Sequence, residues 1–471
     1  MNRKSTFKTR IIATLGPATD SKRVIKELVT EGVRIFRLNF SHGTHQEHLR
    51  RIQRIREIEE EMDVTLTILQ DLSGPKIRIG TVKDEPVILK RGDTLILTTE
   101  EGDGRDRIQV TYKTLPEEVR KGEKILINDG AIVLVVKDIR KRDVVTEVLV
   151  GGPLTSRKGV NLPNTHLSTP ALTEKDREDV IFGIENGVDA IALSFVRSHR
   201  DILDLREILE KKGVSKPIIA KIEKPEALKE IDAILEVSDG IMVARGDLGV
   251  EIPIYRIPVI QKELIRKARM HGKIVITATQ MLKSMVDLPT PTRAEATDVA
   301  NAVLDGSDAL MLSEETAVGK YPVKTIRMMR KIITEAEKIY PHEEMCRVRA
   351  KFSIQESLCH VACKVAEETN IRAIVAFTRT GTTARVLSHF RPRVPVIAAT
   401  YDRETLHYVN LFWGVTPTLT PLVESTDRMV ETSIEVGIRK NLFKKGDKVL
   451  ILAGAPAGVP GSTNLIKIVD A

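Results

Sequence analysis

Apolar and polar positions alternate along the chain at two different periods. Short β-branched apolar runs recur, each followed by an amphipathic stretch of helical period, the pattern of parallel strands covered by helices. The runs are RIIATLG (10–16), RIFRLNF (34–40), VTLTILQD (64–71), DAIALSF (189–195), PIIAKIE (217–223), GIMVARGD (240–247), KIVITAT (273–279) and DALMLSEE (308–315). Helix starts lie between them: Asp20-Ser21 precedes KRVIKELVTEG, and Thr173, with Asp176 three residues on, opens the stretch to Gly187. Eight strand-plus-helix units in order predict an α/β fold of the TIM (β/α)8 barrel type.

Between the third and fourth runs the texture changes. From Lys76 to Lys158 the alternation has period two, as in EPVILKRGDTLILTT and GEKILINDGAIVLVVKDI, with turn signals at RGD, EGDG and NDG. This predicts a small antiparallel β domain inserted in the barrel. After Tyr340 a new alternation begins with AIVAFT (373–378), PVIAAT (395–400), TPTLT (416–420) and KVLILAG (448–454). It predicts an α/β domain with an open sheet, one that lacks the G-x-G-x-x-G dinucleotide fingerprint. The expected division is barrel 1–75 and 159–340, inserted β domain 76–158 and C-terminal α/β domain 341–471.

Composition narrows this little. A chain of 471 residues with 42% hydrophobic content has material for several cores. The net charge of +8 suits an anionic ligand but is too mild over this length to single out nucleic acid. Cys346, Cys359 and Cys363 are too few for a disulfide framework or a four-ligand zinc site. Nowhere do 18 apolar residues run together, so a cytoplasmic protein with no membrane partner is expected.

In a TIM barrel the chemistry sits at the C-terminal ends of the strands, and these ends form an unusual set. Arg37, Asn39 and Ser41 lie two apart, which puts them on one side of an extended chain. The same period aligns Lys221 with Glu223 and Arg245 with Asp247, around Gly246, where a backbone N–H can approach a ligand. Thr277 and Thr279 complete the set. Each pair alone reads as a rim ion pair or a helix cap. Together they bring cations and two carboxylates to one mouth, which packing does not require. Two carboxylates suit Mg²⁺ or Mn²⁺ completed by substrate oxygens, and adjacent cations suit a phosphorylated anion, the apparatus of phosphoryl transfer.

The ordered series ATLGPATD, RLNFSHG, GPKIRIG, RKGVNLPN, SFVR, AKIEKPEAL, MVARGDLGVEIP, ITATQMLKSM and PTRAEATDVANAVLDGSDALMLSEETAVGKYP resembles the pyruvate kinase family over nearly the whole chain. The resemblance implies a barrel, a β-barrel lid over its mouth and a C-terminal regulatory domain, in a cytoplasmic homotetramer. It implies transfer of the phosphoryl group of phosphoenolpyruvate to ADP, giving pyruvate and ATP. By motif, Lys221 would stabilise the migrating phosphoryl group, Arg37 would bind the phosphate, and Glu223 and Asp247 would hold the metal. Gly246, Asp247 and Thr279 would hold the substrate carboxylate, and Thr279 belongs to the proton-delivery site. Asn39, Ser41 and His42 lie where the family holds nucleotide and monovalent cation, and Arg78 and Lys158 would reach ADP phosphates.

In much of the family the motif at DLSGPK carries threonine after the aspartate and glutamate after Gly-Pro, and K⁺ sits among Asn39, Ser41, Asp71 and that threonine. This chain has Leu72 and Lys76 instead. A lysine ammonium supplies the same single charge as K⁺, so independence of K⁺ is expected. In the C-terminal domain, Thr378, Thr380, Gly381, Thr382 and Thr383 end a strand and open a helix, a phosphate pocket that AGAPAGVPGSTN (453–464) would close, and the resemblance implies that the two form the site of a phosphorylated allosteric effector. Two other readings compete: a metal-dependent phosphoenolpyruvate or oxaloacetate lyase, which needs no ADP, and a non-catalytic basic protein binding nucleic acid. The 4% aromatic content speaks against the second, since base stacking needs aromatic platforms.

Overall fold

The computed structural model describes residues 7–163, 165, 168–342, 352–423, 425–454 and 463–471. Strands β1 (Arg10–Thr14), β2 (Ile35–Asn39) and β3 (Thr67–Asp71) open the chain. A block of short strands follows: β4 (Val87–Leu89), β5 (Thr94–Thr98), β6 (Arg107–Gln109), β7 (Lys124–Ile127), β8 (Ile132–Arg140), β9 (Asp143–Val150), β10 (Gly152–Leu154) and β11 (Val160–Asn161). Then come β12 (Ala190–Leu193), β13 (Ile218–Ile222), β14 (Gly240–Ala244), β15 (Ile274–Ala278) and β16 (Ala309–Leu312).

β1–β3 and β12–β16 pair in parallel and close into an eight-stranded barrel in the order β1-β16-β15-β14-β13-β12-β3-β2. Alternation within each strand explains the closure. Ile12, Ile35, Leu69, Ile219, Met242 and Ile276 fill the interior, while Phe36, Leu38, Ile68, Val275 and Leu310 pack outward under the helices. The filled interior leaves only the strand ends free for chemistry. The helix starts read from sequence hold: Ser21 caps Lys22–Thr30, and Thr173 forms a capping box with Asp176 ahead of Glu174–Glu185.

Between β3 and β12, β11-β7-β8-β9-β5-β6 form a sheet around their own apolar core, with β4 and β10 as a separate ribbon. Residues 77–80 bridge both edges, Arg78 to Gly159 beside β11 and Ile79 to Val110 beside β6, which closes this sheet on itself. The expectation of purely antiparallel pairing needs correction, because β5 and β6 run parallel. Residues 99–106 carry the chain back along β5 before β6 starts, and period-two alternation encodes burial rather than direction. The hinge at Gly74 is tight: it has φ +64°, and a Cβ there would lie 2.6 Å from the Phe195 ring.

The C-terminal sheet contains β17 (Ile371–Phe377), β18 (Val396–Thr400), β19 (Val415–Leu419), β20 (Lys448–Gly454) and β21 (Thr463–Asp470), in the order β19-β18-β17-β20-β21. β21 runs antiparallel to β20 and was not read from the sequence. Cys346 and most of the AGAPAGVPGSTN loop lie outside the described residues. Cys359 and Cys363 are buried and outside any disulfide. No helix among the described residues is long and apolar enough to cross a membrane.

Candidate active site at the barrel mouth

Register brings the strand ends together. Asn39 on β2 stands beside Asp71 on β3, and Asp71 beside Ala192 on β12. Arg37, inward from β2, donates Nε–H to Asp71 Oδ2 at 2.5 Å and Nη1–H to Thr14 Oγ1 at 3.1 Å. Lys221, inward from β13, places its ammonium 3.1 Å from Asp71 Oδ1, 2.9 Å from Glu223 Oε1 and 2.7 Å from Ser194 Oγ. Glu223 Oε2 accepts the Phe195 N–H at 2.8 Å. The result is a buried ladder of alternating charge, Arg37, Asp71, Lys221 and Glu223, drawn from three strands.

The electrostatics follow from burial and this order. Burial pushes the Asp71 carboxyl up, but Arg37 and Lys221 outweigh it and hold Asp71 below its ordinary value. Burial alone would lower Lys221, yet the Asp71 and Glu223 carboxylates raise it, so the ammonium is firmly charged. Glu223 is raised, by burial first and also by the Asp247 carboxylate, against the pull of Lys221. Two carboxylates that repel one another across the mouth are what a dication relieves. Among the described residues no three His, Cys, Asp or Glu side chains form a metal cage. A pair of carboxylates such as Glu223 and Asp247 fits a metal that takes its remaining oxygens from water and substrate.

The stretch after β14 departs from the extended reading. β14 ends at Ala244, and Arg245–Glu251 is a helix with Asp247 in its first turn. Arg245 consequently turns from the mouth to Asp298, at 2.7 Å, and does not align with Asp247. Thr277 faces outward and bonds Ser307 Oγ at 2.7 Å, so it too is absent from the mouth. Thr279 stands beside Gly246: its hydroxyl accepts the Gly246 N–H at 2.7 Å and donates to the Ala278 carbonyl at 2.6 Å. Its φ of +69° is a strained conformation for a threonine.

Above these residues lies a cleft of about 510 Å³, lined from the lid side by Lys76, Arg78 and Lys158 and from the barrel side by His42, Lys224 and Asp247. Arg78 Nη1–H donates to the Arg157 carbonyl at 2.9 Å, which aims the side chain along the hinge. His42 is held below its ordinary value first by burial and then by the positive charges of Lys76, Arg78 and Arg37. Asn39 Oδ1 accepts the Ser41 N–H at 3.1 Å.

Lys76 is reached by solvent through the cleft, yet protein surrounds it on most sides. Burial and the Lys221 ammonium hold it below the ordinary lysine value, while Asp247, Asp71 and Glu223 draw it up. Its ammonium thus stands in the field of the mouth. Leu72 does not: its side chain packs into the apolar layer under the helices, and only its carbonyl turns inward, accepting from Ser194 Oγ at 2.7 Å. The alternation that points Asp71 inward points Leu72 outward, so the missing hydroxyl at position 72 removes nothing from the mouth.

Sequence reasoning missed Ser194, which bonds both Lys221 and the Leu72 carbonyl, and Phe195, whose N–H holds Glu223. Their signal was the end of the DAIALSF run, read there only as a strand. In the C-terminal domain Gly381 (φ +82°) precedes the helix Thr382–His389. Thr380 and Thr382 hydroxyls lie 2.9 Å apart at its start. Thr383 is turned inward instead, bonding Thr463 Oγ1 at 2.8 Å and Gln355 Nε2 at 3.3 Å, so its hydroxyl is committed to packing β21 rather than to a ligand.

A closed parallel barrel with this charged mouth under a lid defines a class: barrel enzymes that act on small phosphorylated anions. Comparison with known proteins narrows it. Residues 6–326 match the family model "Pyruvate kinase, barrel domain", and residues 356–469 match "Pyruvate kinase, alpha/beta domain". "Pyruvate kinase 2" of Synechocystis sp. is 46% identical over 468 residues, covering 98% of this chain and 79% of that protein. "Pyruvate kinase" of Staphylococcus aureus strain MRSA252 is 44% identical over 471 residues, covering 98% of this chain and 80% of that protein. The chain belongs to the pyruvate kinase family and is a phosphotransferase.

Proposed function

We propose that the chain moves the phosphoryl group of phosphoenolpyruvate to ADP, giving pyruvate and ATP in the last step of glycolysis, in the cytoplasm. The observation that carries this is the Lys221 ammonium, buried and firmly charged between Asp71 and Glu223 at the mouth. A fixed positive charge where a metaphosphate-like group passes lowers the barrier by neutralising charge that develops there. Arg37 binds the substrate phosphate from the opposite side of Asp71. The Gly246 and Asp247 N–H groups with the Thr279 hydroxyl receive the substrate carboxylate, which takes the place of the Gly246–Thr279 and Thr279–Ala278 hydrogen bonds, and Thr279 lies on the path by which a proton reaches the enolate carbon.

Glu223 and Asp247 would hold Mg²⁺, or Mn²⁺ in its place. When bound, the ion supplies Lewis-acid neutralisation of phosphate charge. His42, Asn39, Arg78 and Lys158 position ADP, with the lid, residues 76–158, bringing the last two. Lys76 replaces K⁺; the support is its ammonium in the field of Asp71, Glu223 and Asp247. Thr378, Thr380, Gly381 and Thr382 receive a phosphorylated effector that activates the enzyme, which works as a homotetramer.

A coupled assay tests the core of this reading: pyruvate must form from phosphoenolpyruvate only when ADP and Mg²⁺ are both present. Pyruvate release at the same rate without ADP would return the lyase reading. Arg78→Met is expected to raise the KM for ADP about tenfold, the loss of one charge-assisted hydrogen bond, with a smaller change in the KM for phosphoenolpyruvate. Thermal shift with sugar monophosphates and AMP is expected to raise Tm by a few degrees for the true effector at about 100 times its Kd, and Thr382→Val is expected to abolish that rise.

A further inference from the structure

A second cationic crevice lies at the opposite end of the barrel, where the C-terminal domain meets the strand starts. Its walls come from both sides: Arg269, Lys273 and Asp308 from the barrel, and Arg385, His389 and Arg391 from the C-terminal domain. Arg391 is its centre. Only 1% exposed, it donates through Nη2 to Asp308 Oδ1 at 2.8 Å and to the Gly306 carbonyl at 2.7 Å, with its guanidinium 4.7 Å from the centre of the Trp413 ring. Its Nε and Nη1 meet no hydrogen-bond partner. A fully buried guanidinium with two unmet donors is costly unless something accepts from it.

The carboxylate at hand does not balance the charge. Asp308 accepts the Val275 N–H on its second oxygen at 2.8 Å, and its single charge faces Arg269, Lys273, Arg385 and Arg391 along the crevice. Lys273 and Arg385 donate to the carbonyls of Ser238, at 2.7 Å, and Gly272, at 3.5 Å. The excess extends along the seam. Lys8, whose ammonium donates to the carbonyls of Pro392 and Arg393, is lowered to about 8 by burial and by Arg393 and Arg391, although Glu337 draws it up.

We infer that this crevice is an anion site that takes the phosphoryl end of a phosphomonoester, separate from both the barrel mouth and the Thr378–Thr382 loop. The cavity measures about 20 Å³, room for one oxygen-sized group beside Arg391. One phosphoryl oxygen enters there, and the others stay at the rim with Lys273 and Arg385. Because cations from two domains meet on one ligand, occupancy ties the C-terminal domain to the barrel and stabilises the joined state.

The test uses the full chain with inorganic phosphate as probe, ionic strength being held constant with NaCl. Two other places bind phosphate, so the measurement is made in the double variant Arg37→Met, Thr382→Val. Phosphate is expected to raise its Tm saturably. Adding Arg385→Met, or separately Lys273→Met, is expected to weaken the apparent phosphate affinity about tenfold or more for each charge removed. The readout is the phosphate-dependent increment, so a lower baseline Tm in either variant does not enter. An equal increment with and without Arg385 and Lys273, or one reproduced by NaCl alone, overturns the inference. An increment that vanishes in the starting double variant also overturns it, and leaves the assignments at the mouth and effector loop standing.

Discussion

Lys221→Met is expected to lower kcat by about 10³-fold or more while the barrel stays folded, measured in the coupled assay beside circular dichroism. Methionine keeps the length and apolar stem of lysine and removes only the charge. The ammonium touches three oxygens, on Asp71, Glu223 and Ser194, and substrate phosphate would be the fourth. Without it the developing charge on the migrating group loses its nearest fixed partner. Asp71 and Glu223 lose it as well. Glu223, already raised by burial and Asp247, rises further, so metal binding should begin to fail at a higher pH than in the wild type. At pH above that limit Glu223 and Asp247, proposed to hold the metal, have less compensating charge beside them, and Mn²⁺ should bind at least as tightly as before. Lost turnover with retained Mn²⁺ binding is therefore the signature of a charge acting on the phosphoryl group. Full turnover in Lys221→Met would remove Lys221 from the chemistry.

The parts of this site that were legible in sequence are those governed by strand alternation. Arg37, Asp71, Lys221 and Glu223 sit at ends of apolar runs, where period two and barrel topology together fix which side they face. Legibility stopped where the period changed. Arg245 and Asp247 looked aligned because the strand was read past Ala244, and the helix that begins there turns them about 200° apart, just over half a turn. Ser194 carries no spacing signal of its own; its role exists only because register brings β12 beside β3 and β13. Thr383 was read as part of a phosphate loop, but its direction is set by Thr463 on β21, a strand the sequence pattern did not disclose. The error at Leu72 differs in kind, since the same alternation that placed Asp71 correctly already assigned Leu72 to the outer layer.

That correction leaves the K⁺ question on Lys76 alone, and makes it sharper. Wild-type activity is expected to be the same with and without K⁺. Lys76→Glu is expected to lose about 10²-fold in K⁺-free buffer and to recover most of it when K⁺ is added, with Na⁺ less effective. The substitution changes the local charge by two units, from one added cation to one added carboxylate. Asp71, Glu223, Asp247 and the new glutamate would then outnumber Arg37 and Lys221 at the strand ends, and a monovalent cation becomes favourable among them. The Asn39 and Ser41 oxygens and the Leu72 carbonyl lie on the adjoining strand ends as further ligands. Lys76→Met separates charge from hinge geometry: it is expected to lose activity as the glutamate does but to respond weakly to K⁺, having no carboxylate to draw the ion in. A wild type that requires K⁺, or a Lys76→Glu variant indifferent to it, would show that Lys76 is a hinge residue whose charge the reaction does not use.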